Sequence, residues 1–322
     1  MVEVARTQQF DKEGNVVREW VRSKADGFNT DDLIAALRKN KPTFKRKFAP
    51  PKTSNKNLML EWCIADTHMG MHSWAKQTGA NYNLKIAKEL VQRASERIFS
   101  VFNDLEEIVL VLLGDNQHSD NRSNETERGH NKVDVDGRYP KAVDYTIETF
   151  CAAIDLALQH AQKVKVIVVF GNHDYHSAIW LQALLKFGYR NEKRVVINDS
   201  QHKMKFNQWG ISFFGYHHGD TAPATRLVDQ LLTHIIDHDI IGVRRKLLRK
   251  GHLHKEGKLY PPGLTDHNGV TIEIMPTIAA PDAWSKDAAW ASIRATKAQL
   301  FHKEFGPQQS LEIPAIQLME GF

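Results

Sequence analysis

Five short stretches carry side chains that could do chemistry: Asp66-Thr67-His68, Gly114-Asp115-Asn116-Gln117-His118, Gly171-Asn172-His173-Asp174, His217-His218-Gly219-Asp220 and Gly251-His252-Leu253-His254. Each sets carboxylate, amide or imidazole groups close together. Oxygen and nitrogen donors in such a mixture hold divalent ions, and suit manganese, iron, zinc or nickel more than calcium or magnesium. In an extended segment residues i and i+2 face the same way. Asp66 with His68, and His252 with His254, are therefore expected to grip an ion from one side. Asp115 follows an apolar run and offers a carboxylate able to bridge two ions. His217 and His218 are adjacent, so a strand would turn only one of them towards the ions.

Positioning these groups requires strands that end where the motifs begin. Residues 58–65, 108–113 and 164–170 are apolar runs of strand length, and each leads into a motif. Residues 211–216 and a short strand near 246–248 lead into the other two. Helical spacing occupies 86–102, 139–161, 178–187 and 225–236, while 119–138 is polar and reads as a loop. Further strands are expected at 195–197, 203–206 and 270–275. Alternating strands and helices, followed mainly by strands, indicate an α/β fold completed by a second sheet. Polar groups at the carboxyl ends of successive strands then converge on one crevice.

In order and spacing, Asp-x-His, Gly-Asp-x-x-His, Gly-Asn-His-Asp, His-Gly and Gly-His-x-His resemble the calcineurin-like metallophosphoesterase superfamily, across roughly residues 60–255. The resemblance implies a four-layer α/β/β/α metallophosphoesterase sandwich of two mixed sheets, with a dinuclear centre on its rim. It implies that Asp66, His68 and His254 hold one metal ion, that Asn172, His218 and His252 hold a second, and that Asp115 bridges them. The His-Gly pattern favours His218 over His217. His173 would protonate the leaving oxygen or stabilise the transition state, and Asp174 would orient His173. Gly114-Asp115-x-x-His118 resembles the DNA-repair nuclease branch, which implies a catalytic or substrate-contacting His118. The loop containing Asp134-Val135-Asp136-Gly137-Arg138 resembles prokaryotic and bacteriophage-encoded members. Arg138 is a candidate phosphate clamp, because a guanidinium matches phosphate bidentately.

Charge divides the chain unevenly. Residues 1–57 hold 13 Lys/Arg against 7 Asp/Glu, leaving 30 against 31 of the chain's 43 and 38 for the remainder. Residues 1–57 read as a basic N-terminal extension: a turn at 10–15, a strand at 16–21, a short helix bearing Leu33, Ile34 and Leu37, then an acid-free linker from 38 to 56. Residues 58–322 read as the phosphoesterase domain, with Trp284 and Trp290 packing a C-terminal tail onto its core. Only two cysteines occur, Cys63 and Cys151, read as free thiols in a reducing compartment. No apolar run spans a bilayer, and the first ten residues lack an apolar signal core, so a cytoplasmic location and no membrane partner are expected. The expected reaction is hydrolysis of a phosphodiester, with DNA or RNA as substrate and two divalent ions, manganese first, as cofactors. A small-molecule phosphatase or nucleotide phosphohydrolase is the enzyme alternative. A metal-stabilised nucleic-acid-binding protein without turnover is the alternative of another class.

Overall fold

The computed structural model describes residues 2–24, 48–52, 54–126, 130–252, 264–283, 286 and 294–319. The chain divides into two units, Met1–Arg46 and Lys47–Phe322. In the first, β1 (Val2–Phe10) pairs antiparallel with β2 (Val16–Lys24), Thr7 lying opposite Trp20. The Asp11 carboxylate accepts from the backbone of Glu13 at 2.9 Å and Asn15 at 2.8 Å, which closes the turn. The strand expected at 16–21 thus has a partner that the mixed polarity of residues 2–10 concealed. The expected helix carrying Leu33, Ile34 and Leu37, and the linker from Arg38 to Lys47, lie outside the described residues.

The second unit is built on two mixed sheets. Six strands follow the order β13-β12-β3-β4-β5-β6: β3 (Asn55–Ile64), β4 (Leu105–Leu112), β5 (Ala161–Val168), β6 (Val195–Asn198), β12 (Ala295–His302) and β13 (Gly306–Pro314). β3 to β6 are parallel, while β12 and β13 are antiparallel additions at the β3 edge. The second sheet runs β10-β11-β9-β8-β7, from β7 (Lys205–Trp209), β8 (Ser212–His217), β9 (Arg245–Lys250), β10 (Leu264–His267) and β11 (Val270–Ile274). Within it β8, β9 and β11 are parallel.

Period-two burial on both faces builds the layers. On β4, Ile108, Leu110 and Leu112 meet α2 (Leu84–Val101), α3 (Tyr139–Ala157) and α4 (Tyr175–Gly188) in one apolar cluster. Val109, Val111 and Leu113 turn to the other side, into a cluster with Phe214, Tyr216, Leu247 and Phe301 between the sheets. A third cluster packs Leu227, Val228 and Leu231 of α5 (Ala224–Asp237) onto Phe213, Leu248 and Ile272. The result is the α/β/β/α sandwich. Two short helices, α1 (Ala75–Thr78) and α6 (Ala315–Leu318), complete the described elements. No helix among the described residues is long and apolar enough to cross a membrane.

Several boundaries differ from expectation. Phe48 packs against the first cluster and its carbonyl accepts from Arg194 at 2.6 Å, so the segment just before β3 is docked rather than free. Ala161 opens β5 instead of closing α3, because its backbone pairs opposite Leu105. Residues 264–267 and 295–314 form strands that the sequence pattern did not reveal, and the latter pair completes a sheet where a packed tail was expected. Trp284 and Trp290 lie outside the described residues. The polar loop at 119–138 is pinned at both ends. Asp136 accepts from the backbone of Leu84 at 2.8 Å, and Asp120 from His176 at 2.6 Å and Ser177 at 2.7 Å, capping α2 and α4 from a distance.

The inter-sheet layer also contains charge. Arg249 is fully buried and donates to Glu61 from Nε at 3.0 Å and from Nη2 at 2.8 Å. It pairs with Glu273 as well, which Lys297 also holds, while Tyr216 donates to Glu61 at 2.9 Å. Removing the guanidinium would strand carboxylates in an apolar layer. Arg249→Met is therefore expected to lower unfolding stability by about 3 to 5 kcal/mol, measured by urea titration; an unchanged midpoint would contradict this role.

Candidate metal centre

Parallel pairing of β3, β4 and β5 delivers three motif loops to one rim, and β8 and β9 deliver two more. The loops continue the ladder beyond the strands: Asp66 N donates to Gly114 O at 3.2 Å, His68 N to Asp115 O at 2.9 Å and Gly251 N to His218 O at 3.0 Å. Two carboxylates then lock the loops to one another. Asp66 accepts from the backbone of His252 at 3.2 Å, and Asp115 Oδ1 from that of His173 at 2.8 Å. Thr277, beyond β11, holds the Asp66 carbonyl at 2.7 Å.

Among the described residues the side chains so gathered form three overlapping donor groups. Asp66, His68 and Asp115 offer ligand atoms within 4.8 Å of one another, and so do Asp115, His218 and His252, and His68, His118 and His173. Asp115 is the carboxylate shared by the first two, and His68 belongs to the first and third. His218 Nε2 lies 3.0 Å from Asp115 Oδ2 and 3.1 Å from Asn172 Oδ1, while its Nδ1 is 3.0 Å from Leu113 O. His217 faces away, with Gly219 N donating to its Nδ1 at 2.9 Å, and burial pushes it down to about 4. Of the adjacent pair, His218 is the one within the cluster. Asp66, His68, Asp115, Asn172, His173, Asp174, His218 and His252 thus meet at one rim; His254 lies outside the described residues.

The backbone reaches this arrangement through strain rather than through extension. Asp66, His68, Asp115 and His252 have φ of 50°, 43°, 49° and 65°, in the left-handed region that costs side-chain-bearing residues energy. Asp66 and His68 therefore converge through a turn, and the extended i, i+2 geometry expected from the sequence does not apply. Gly171 is required by close approach: a Cβ there would stand 2.1 Å from Asp115 Oδ1 and 2.4 Å from Asp115 N.

Electrostatics fit a cation. Burial alone would raise the Asp115 carboxyl, but His218, His173 and the hydrogen bond from His218 hold it well below the usual carboxylate range. Burial opposes charge on His218, yet the Asp115 and Asp66 carboxylates push it up to about 10. Two buried carboxylates thus demand compensating positive charge, and the surrounding oxygen and nitrogen donors suit transition metals.

The surroundings of Asp174, His118 and Arg138 bear on their expected roles. Among the described residues Asp174 makes no hydrogen bond with the His173 side chain. Its Oδ1 accepts from Asp115 N at 3.1 Å and Gly171 N at 3.0 Å, and its Oδ2 from Asn116 N at 2.7 Å and Nδ2 at 2.9 Å, so it fastens the bridging-aspartate loop. Burial, with Asp115 adding to it, pushes Asp174 up to about 6. The group that orients His173 is the His118 carbonyl, which accepts from His173 Nδ1 at 2.9 Å. His118 is 2% exposed and stacks on His173, with its Nδ1 3.2 Å from His68 Nδ1. It is buried, its Nε2 has no hydrogen-bond partner among the described residues, and with His68 and His173 it forms one of the donor groups. Arg138 is exposed at the start of α3 and makes no hydrogen bond or ion pair with the cluster residues. Asn116 and Thr277 were not singled out in the sequence; their partners are remote in the chain, and no local pattern marks them.

No protein-family model and no curated protein matches this sequence. Among solved structures, a conserved uncharacterized protein of Streptococcus pneumoniae, described as a predicted phosphoesterase, matches at 11% identity and TM-score 0.31, covering 80% of this chain and 98% of its own. A Vps29 mutant of Entamoeba histolytica matches at 13% identity and TM-score 0.35, covering 80% and 99%. A 5'-nucleotidase precursor of Thermus thermophilus matches at 11% and 0.37, covering 81% of this chain but 55% of its own. These overlaps are loose, and the reading of the site rests on the residues above.

Gly171→Ala would push the Asp115 carboxylate out of line. It is expected to weaken divalent-ion affinity by about 10- to 100-fold with an unchanged circular dichroism spectrum; an ion titration returning the parent affinity would contradict the packing argument. What resembles the calcineurin-like metallophosphoesterase superfamily is the order of the five strand-end motifs.

Proposed function

We propose that this chain is a metal-dependent phosphoesterase that hydrolyses phosphodiester bonds, with nucleic acid as substrate. The observation that carries the reading is the double membership of Asp115, one buried carboxylate shared by two donor groups. Asp66, His68 and Asp115 would hold one divalent ion, and Asp115, Asn172, His218 and His252 a second. Manganese comes first among the candidates, followed by iron, zinc and nickel. When bound, such a pair supplies Lewis-acid polarisation of the phosphoryl oxygens and lowers the pKa of an attacking water.

The chain's own residues supply orientation and a proton. The His118 carbonyl accepts from His173 Nδ1, which fixes the proton there and leaves Nε2 to face the reacting group. Protonated His173 then donates from Nε2 to the departing oxygen. Asp174, through Asn116 and Asp115 backbone groups, keeps the carboxylate loop in register with the loop carrying His173. The excess of Lys/Arg in residues 1–57 supports a polyanionic substrate, and the two cysteines, both free, suit a reducing, cytoplasmic setting.

Asp115→Asn is expected to lower turnover by orders of magnitude and to remove bound metal, because bridging needs the full carboxylate charge; elemental analysis beside a hydrolysis assay checks both. A panel of single-stranded DNA, duplex DNA, RNA, cyclic nucleotides and bis-p-nitrophenyl phosphate tests the substrate class. Turnover confined to monoesters would replace the nuclease reading with that of a phosphatase. His173→Ala should slow substrates with poor leaving groups by about 10²- to 10⁴-fold and p-nitrophenyl esters far less. Equal slowing of both would remove His173 from proton delivery.

A further inference from the structure

β8 and β9 end side by side, with His217 opposite Lys250 in parallel register. One step earlier, Tyr216 and Arg249 face the inter-sheet network. His217 and Lys250 therefore turn to the other face of the sheet, where they meet polar groups that the metal centre does not use. His217 Nε2 lies 3.4 Å from Thr221 Oγ1, and Asp220 holds Lys203 at 2.6 Å. The second carboxylate oxygen of Asp220 is buried and has no hydrogen-bond partner among the described residues. The Lys250 side chain crosses directly over Gly219. A Cβ at Gly219 would stand 2.8 Å from Lys250 Cε and 3.5 Å from its Nζ, and φ is +110° there as well, so only glycine fits.

Lys250 is 3% exposed, yet among the described residues its ammonium makes no hydrogen bond or ion pair. The ammonium is not sealed in, yet an apolar residue of the same length would fill this space without dehydrating most of a cationic side chain. The facing groups do not neutralise it. Lys203 is a second cation, His217 accepts from Gly219 N at its Nδ1 and brings no negative charge, and the single carboxylate of Asp220 is already engaged by Lys203. The patch thus keeps an excess positive charge beside Gly219, the residue that follows His218. An anion from outside the protein would satisfy the ammonium, and a hydroxyl on the same ligand would satisfy Asp220.

We infer that Lys250 binds a second anionic group of the substrate, distinct from the phosphate under attack, as a neighbouring phosphate on a nucleotide strand would be. Lys250 belongs to none of the donor groups, but only glycines separate it from them: a Cβ at Gly219 would stand 2.8 Å from Lys250 Cε and 3.3 Å from Gly251 O, and one at Gly251 would stand 2.7 Å from Asp66 Oδ2 and 3.3 Å from His218 Nδ1. The inference rests on the phosphoesterase reading and narrows it to substrates with more than one phosphate.

The test compares kcat/KM of the metal-loaded protein on bis-p-nitrophenyl phosphate and on thymidine dinucleotides bearing a 5′-phosphate, a 3′-phosphate or neither. The parent should prefer one phosphorylated dinucleotide over the unphosphorylated one by about 10-fold, the worth of one charge-assisted hydrogen bond. Lys250→Met should erase that preference, Lys250→Arg should keep part of it, and the Lys250→Met melting temperature should hold or rise by about 2 to 4 °C. A parent without the preference, or a Lys250→Met variant that retains it, overturns the inference. A parent that cleaves none of the four substrates sinks the phosphoesterase reading, and the inference with it.

Discussion

Two carboxylates, Asp66 and Asp115, leave the ends of neighbouring parallel strands and are brought together in a buried space. The rest of the second unit follows from making that juxtaposition tolerable. Like charges repel strongly where water is absent, so each carboxylate must be answered. Backbone N–H groups of His252 and His173 answer one side of each. Imidazoles of His218 and His173 answer Asp115. The same bonds tie loops from both sheets into one body, so electrostatic need and loop geometry are a single constraint. Gly171 and the four left-handed residues are where the chain accepts strain to meet it.

The inter-sheet layer shows a second arrangement of the same kind. Glu61, Glu273, Arg249 and Lys297 put two acids against two bases between otherwise apolar faces. There the charges satisfy one another and join β3, β9, β11 and β12. Among the described residues Lys250, one residue past Arg249, has no such partner. Neighbouring residues on one strand thus divide between closed structural pairing and an open charge.

Much of this was legible in the sequence. Apolar runs on β3, β4 and β5 are buried on both faces and end abruptly in polar residues, so both the strands and the motif positions could be read. β12 could not, because two of the residues it turns towards the inter-sheet layer are Lys297 and Gln299, whose partners are buried charges. β13 is an edge strand, mostly exposed, and carries no apolar alternation. The motif pattern located the donor set but not its supports. Asp174 reaches backbone groups 58 and 59 residues away, and Asp120 caps α4 from 56 and 57 residues away. Bonds of that separation leave no local signature. His118 was legible as special but not as buried, since its role depends on the stacking of three imidazoles.

The central claim is that Asp115 joins two ions into one centre. Electron paramagnetic resonance of the protein titrated with manganese(II) tests it most directly, because ions bridged by one carboxylate about 3.5 to 4 Å apart are magnetically coupled. A shared Asp115 predicts that the isolated-ion spectrum gives way to that of a coupled pair as loading approaches two equivalents. A spectrum of isolated ions at every loading, or saturation at one equivalent, would contradict it.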